Sequence, residues 1–204
     1  MSRRHGVPGW LLVAAGVTAA VFAFARKQNR GERVGGPISL PKTLWLNYTL
    51  ISWFVLPGAL LRRDDLSPGA RAALQAHLMS FVARGSAEMW LLYRTHAWRV
   101  AYGVGHDALD LALITVALRR GGRGGAADGV ARRHLDAIRA TLLFEMAFAS
   151  LFHLAIGGKT KGEDGIYFAS NEPQFRRINA LTAAVDVAAY ARMMLVMRDL
   201  VRLR

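Results

Sequence analysis

Two stretches of the chain carry the same set of potential ligands. Glu88-Met89 is followed by His96, and Glu145-Met146 by His153, so both read Glu-Met-x6-His in apolar surroundings. On a helix, residues eight apart stand roughly 80° apart around the axis, so each pair can address one interior. Two such helices would offer two carboxylates and two imidazoles, with Asp107, Asp110 or Asp186 available from neighbours. That donor set suits a di-iron or di-manganese carboxylate site, although such sites use Glu-x-x-His and the spacing here differs. Asp107-Ala-Leu109 and Asn179-Ala-Leu181 open the segment after each copy, as a diverged duplication would, with a site at the repeat interface. A b-type haem needs only two facing histidines, and His96 with His153, or His106 with either, would supply them. The plainer reading is that each histidine bonds a carboxylate or a backbone carbonyl inside the bundle, which isolated core histidines do more often.

His106, Asp107 and Asp110 form a second group. Asp107 and Asp110 share one helical face and, with His106, could bind a divalent metal or relay protons. The favoured expectation is structural: Gly103 and Gly105 end one helix, and Asp107 and Asp110 cap the next as N-cap and N3. Glu88 has Arg84 four residues before it as an ion-pair partner, and Asp186 has Arg192 in reach along its own segment. Trp90, Tyr93, Arg94, Trp98, Arg99 and Tyr102 interleave rings with guanidinium groups. Such a pattern stacks nucleobases in some proteins, but beside apolar segments it reads as an interfacial belt.

The elements that must hold these residues are helices. Residues 9–25 and 43–61 are uncharged apolar blocks, each long enough to span a bilayer. The first resembles a signal peptide up to Ala23-Phe24-Ala25, but Arg26 and Lys27 follow at once and an uncleaved anchor is expected. In the second, Trp45, Tyr48 and Trp53 would anchor at the interface, and Pro57-Gly58 would kink or end the helix. Residues 1–61, with their basic connector, therefore read as an N-terminal membrane unit. Residues 62–204 read as a helical bundle of about 68–98, 100–118, 130–156 and 173–203. Ser67-Pro68 is an N-cap followed by a first-turn proline, and 119–129 (RRGGRGGAADG) is the clearest linker. No segment alternates as a strand does. The class is all-α, a multi-pass helical membrane protein.

Composition narrows the partners. The 204 residues are 53% hydrophobic with a net charge of +13, and the basic residues flank the apolar blocks. Flanking charge points to anionic lipid headgroups rather than to nucleic acid, which prefers a basic face on a soluble fold. The chain has no cysteine, which excludes disulfides, thiolate metal sites and covalently attached c-type haem. There is no Gly-x-Ser-x-Gly, and Gly157-Gly158-Lys159-Thr160 lacks the spacing of a phosphate loop. Charge counting places the 26–42 connector on the cytoplasmic side. With 68–98 lying at the outer interface, the C-terminus is cytoplasmic too. The expected function is a non-enzymatic accessory or assembly subunit of a membrane complex, with a membrane-protein partner or a second copy of itself. The alternative is a cofactor- or metal-bearing redox or lipid-modifying membrane protein, using Glu88, His96, Glu145 and His153.

Overall fold

A computed structural model describes residues 7–30, 40–91, 96–120, 122, 124–156 and 176–203. Within them, side chains are not described at 28, 42, 84–91, 96–103, 120, 148–156, 176–179 and 182. Every regular element among the described residues is helical. In chain order these are α1 (Gly9–Asn29), α2 (Leu40–Leu50), a π-helical turn (Ile51–Val55), α3 (Leu56–Leu60), α4 (Pro68–Leu91), α5 (His96–Arg120), α6 (Ala126–Ile156) and α7 (Arg176–Arg202).

Alternating direction organises the bundle. α4 and α5 run antiparallel, because His77 meets Asp110 and Ser80 meets His106. At the end where α3 passes into α4, the segment after Leu60 touches everything else that arrives there. The Gly125 N–H donates to the Asp65 carbonyl, Arg63 donates to the Leu203 carbonyl, and Arg133 pairs with Asp199. Leu56, Leu60, Leu74, Ile114, Leu135, Ile138 and Leu142 lie fully buried along the axis.

Helix boundaries follow local chemistry. Ser67 starts α4: its hydroxyl accepts from the Ala70 N–H at 3.2 Å, and Pro68 takes a position whose N–H would have no helical partner. α6 begins at Ala126, earlier than the expected residue 130. Asp65 reaches across to accept from the Ala127 N–H at 2.9 Å, and Asp128 adds an acid to the first turn. The glycine-rich joint before it is pinned rather than loose. A side chain at Gly124 would stand 2.6 Å from the Asp65 carbonyl and the Ser67 nitrogen.

Several expectations change. α4 is described to Leu91 and α5 from His96, so residues 96–98, expected at the end of the 68–98 helix, belong to α5. α5 runs straight through Gly105, which places Asp107 and Asp110 inside a helix, 3% and 1% exposed. They cap nothing; α4 packs on their face and supplies a partner there. α4 is a full member of the bundle, not a helix lying apart on a surface. The basic joint before α6 consequently sits beside the 61–67 segment, and the C-terminus joins them. Leu40, where α2 begins, lies at the other end of the α2–π–α3 rod.

One helix among the described residues, Gly9–Lys27, is long and apolar enough to cross a membrane. The second expected span, 43–61, is divided among α2, the π turn and α3 and runs through the middle of the bundle. Tyr48 and Trp53 are each 2% exposed, so they are core residues and not interface anchors.

Candidate functional site

The interior polar groups gather around the π turn. Pro57 explains the turn. A proline in a helix has no N–H to give and crowds the carbonyl four residues earlier. Here the strain is taken up by lengthening the preceding turn, with the Leu56 N–H bonded to the Ile51 carbonyl, five residues back. The Ser52 carbonyl is then stranded. Its α-helical donor, Leu56, is engaged elsewhere, and the next donor would be Pro57. The His134 ring on α6 fills the gap, its Nε2 standing 2.8 Å from the Ser52 oxygen. A carbonyl only accepts, so Nε2 carries the proton.

Trp53, the next residue of the π turn, packs edge-on against two rings of α4. Its centroid lies 5.5 Å from His77 and 5.1 Å from Phe81. His77 is wholly buried, and its Nδ1 stands 2.6 Å from Asp110 Oδ2 on α5. An ionised carboxylate accepts only, so Nδ1 is the donor. Each partner keeps one buried atom without a hydrogen-bond partner, Nε2 of His77 and Oδ1 of Asp110. A histidine clamped at Nδ1 by a carboxylate is fixed in orientation, as in metal ligands and general bases.

Further along the same helices, His106 Nε2 donates to the Ser80 carbonyl at 2.8 Å and lies 3.1 Å from its hydroxyl. The Tyr48 hydroxyl lies 3.1 Å from that of Thr141, which donates to the Ile138 carbonyl. Between α1 and α2, the Thr18 hydroxyl stands 2.9 Å from the Ala14 carbonyl and 3.2 Å from Asn47 Oδ1.

A separate polar knot closes the Arg63 end. Asp128 Oδ1 accepts from the Ser67 hydroxyl at 2.5 Å and the Ser67 N–H at 2.9 Å, while Arg132 Nε donates to Oδ2 at 2.7 Å. Burial pushes the Asp128 carboxyl up. The Ser67 hydroxyl, the Arg132 guanidinium and the N–H groups of Ser67 and Gly124 outweigh it and hold the group at about 2. Asp65 is also lowered, chiefly by the Ala127 N–H. Arg132 continues to the Gly122 carbonyl at 2.8 Å, tying the joint to the helix.

Among the residues singled out by sequence, Asp110 receives a partner that spacing could not name. Asp107 is buried on the same face of α5, and Asp186 is buried on α7 while Arg192 is exposed. Glu145 is half-buried on α6, close enough to Tyr48 to act on it electrostatically. The side chains of Glu88, His96 and His153 lie outside the described residues, as do those of the proposed aromatic belt. Among the described residues, no three His, Asp or Glu side chains stand together as a metal would need. Sequence reasoning passed over His77 and His134 entirely. The signal was there in the helical stripes Leu74-His77-Phe81 and Ala131-His134-Ile138, where a histidine occupies a position reserved for core residues.

Comparison of the chain with protein-family models, with curated proteins and with solved structures gives no match. Its chemistry has to speak for it.

Proposed function

We propose that the chain is an integral, multi-pass membrane protein whose helical bundle works as a non-enzymatic accessory or assembly subunit of a membrane complex. One observation carries this reading: large apolar side chains stand on outward faces of the bundle, and interior polar groups are hydrogen-bonded to one another across helices. Large apolar side chains are exposed on the outward faces, among them Leu12 and Phe24 on α1, Leu109 and Leu113 on α5, and Val187 and Leu195 on α7. Large apolar surface left exposed on a soluble monomer is uncommon and marks contact with lipid or another protein. Inside, His77, Asp110, His134, Ser52, Tyr48 and Thr141 engage one another across helices, which is how polar groups are tolerated away from water. Arg26 and Lys27 at the end of α1, Arg62 and Arg63 after α3, and Arg202 at the end of α7 stand at helix ends, where headgroups would meet them.

The reading is tested by extracting native membranes with alkaline carbonate and then sizing the protein, solubilised in mild detergent, on a native gel. Retention in the pellet and migration in an assembly larger than the 22.4 kDa chain are expected. Release into the supernatant would overturn the membrane claim, and migration as a lone chain would overturn the subunit claim.

A second reading, a cofactor- or metal-bearing redox or lipid-modifying membrane protein, draws support from the His77–Asp110 pair with its unengaged Nε2. An absorption spectrum and metal analysis of the detergent-purified protein decide it. A Soret band or stoichiometric iron or manganese would favour this reading, and a colourless, metal-free, folded preparation would end it.

A further inference from the structure

α7 carries a charge that its own bundle leaves unanswered. Residues 178–197 of this helix rise about 30 Å, the thickness of a bilayer's hydrocarbon core. Their charged side chains are Asp186 and Arg192 alone. Asp186 is buried, whereas Arg192 is exposed, a third of a turn away around the helix. The other acids near its face are taken. Asp199 accepts from Arg133 on α6 and from Arg198 at 3.3 and 2.9 Å, and Asp136 on α6 pairs with Arg139 at 3.0 Å. Among the described residues Arg192 forms no ion pair. Its surroundings are apolar: Leu181, Ala188 and Leu195 lie within about 60° of it around the helix and are exposed. The Arg133–Asp199 contact sets the register of the two antiparallel helices, so the exposed Ala140, seven residues after Arg133, comes level with Arg192, seven before Asp199. Arg192 therefore lies about 10 Å deeper along the axis than that pair, farther than an arginine side chain extends.

We infer that the face of α7 around Arg192 docks a transmembrane helix of a different protein, one that brings an aspartate or glutamate to this depth. A cation facing hydrocarbon is costly, and a carboxylate on a neighbouring helix is the partner that offsets the cost. Lipid phosphates belong at the level of the Arg133–Asp199 pair, beyond the reach of Arg192. A second copy of this chain answers the charge no better. It would present its own Arg192 at the same depth, and its Asp136 and Asp199 are already held by Arg139, Arg133 and Arg198. The inference rests on the membrane-subunit reading above and deepens it by naming the docking surface and the chemistry of the partner.

The test places a photo-reactive amino acid at Ala188 or at Leu195 of the full chain in native membranes, and the cross-linked peptide is sequenced after irradiation. The expected product is a membrane-embedded segment of one other protein that contains an aspartate or glutamate. Arg192→Leu and Arg192→Glu should abolish the cross-link, and Arg192→Lys should keep it. Because Arg192 is exposed, all three variants should melt with the wild type in mild detergent. Replacing the partner's carboxylate residue by arginine should restore the cross-link to Arg192→Glu. Products formed with lipid alone, with a second copy of this chain or with a segment lacking a carboxylate overturn the inference. So does a cross-link that survives Arg192→Glu, or a charge exchange that rescues nothing. Carbonate extraction and the native gel separate these results from a failure of the membrane-subunit reading. A chain that stays in the pellet within a large assembly, yet is not cross-linked from this face, refutes the docking surface alone.

Discussion

The His134 ring donates from Nε2 to the Ser52 carbonyl across 2.8 Å, and Pro57 is the reason that this carbonyl needs a donor. A proline five residues on and a histidine 82 residues away solve one problem of backbone satisfaction between them. His134→Leu should therefore cost about 1–3 kcal/mol, the penalty of a buried carbonyl left without a donor. Pro57→Ala restores a backbone N–H and a regular helix. His134→Leu should then cost less in the Pro57→Ala background than in the wild type. Thermal unfolding in mild detergent measures both, and equal costs in the two backgrounds would contradict the arrangement.

His77 and Asp110 make the second prediction. Removing one member of a buried pair strands the other, so His77→Leu or Asp110→Leu alone should destabilise by about 3–5 kcal/mol. The double substitution should cost far less than the sum. A double-mutant cycle that came out additive would show that the two side chains do not depend on each other.

Asp128 sets a pH dependence at the Arg63 end. Its pKa in the folded chain is lowered from 3.8 to about 2. A lowered carboxylate pKa stabilises the fold above the unfolded value, and that contribution is lost as pH falls from 3.8 towards 2. Stability measured across this interval should fall less steeply for Asp128→Asn than for wild type. Parallel curves would mean that Asp128 is not held by Ser67 and Arg132.

The fold class and most of the helices were legible because apolar residues recur at helical spacing and no segment alternates. Ser67-Pro68 marked a helix start by local chemistry alone. Asp107 and Asp110 were not legible in the same way. Acids three apart after glycines look like a cap until α4 brings His77 onto their face, and that is a tertiary fact. The π turn was half legible: Pro57 announces a disturbance, but whether the helix breaks or absorbs it depends on a distant donor. Tyr48 and Trp53 misled for a related reason, since an aromatic in an apolar helix looks the same whether it meets headgroups or the rings of a neighbour.

Gly124 and Gly122 test whether the glycine-rich joint is a fitted contact. A side chain at Gly124 would collide with backbone atoms of the 65–67 segment, whereas one at Gly122 meets nothing within 4 Å. Gly124→Ala should destabilise by about 1–3 kcal/mol, and Gly122→Ala should stay within about 0.5 kcal/mol of wild type. Similar effects at both positions would mean that the joint is a simple spacer.

The central claim is that the outward apolar faces meet lipid, and the absence of native cysteine makes it directly measurable. Single cysteines are placed at the exposed apolar positions Leu109 and Val187 and at the exposed polar position Asp64. Each variant is treated with a water-soluble maleimide in opened native membranes, where both membrane surfaces are accessible. The expected result is rapid labelling of Asp64→Cys, with Leu109→Cys and Val187→Cys protected until the protein is denatured. Labelling of all three at the same rate in intact bilayers would contradict the account.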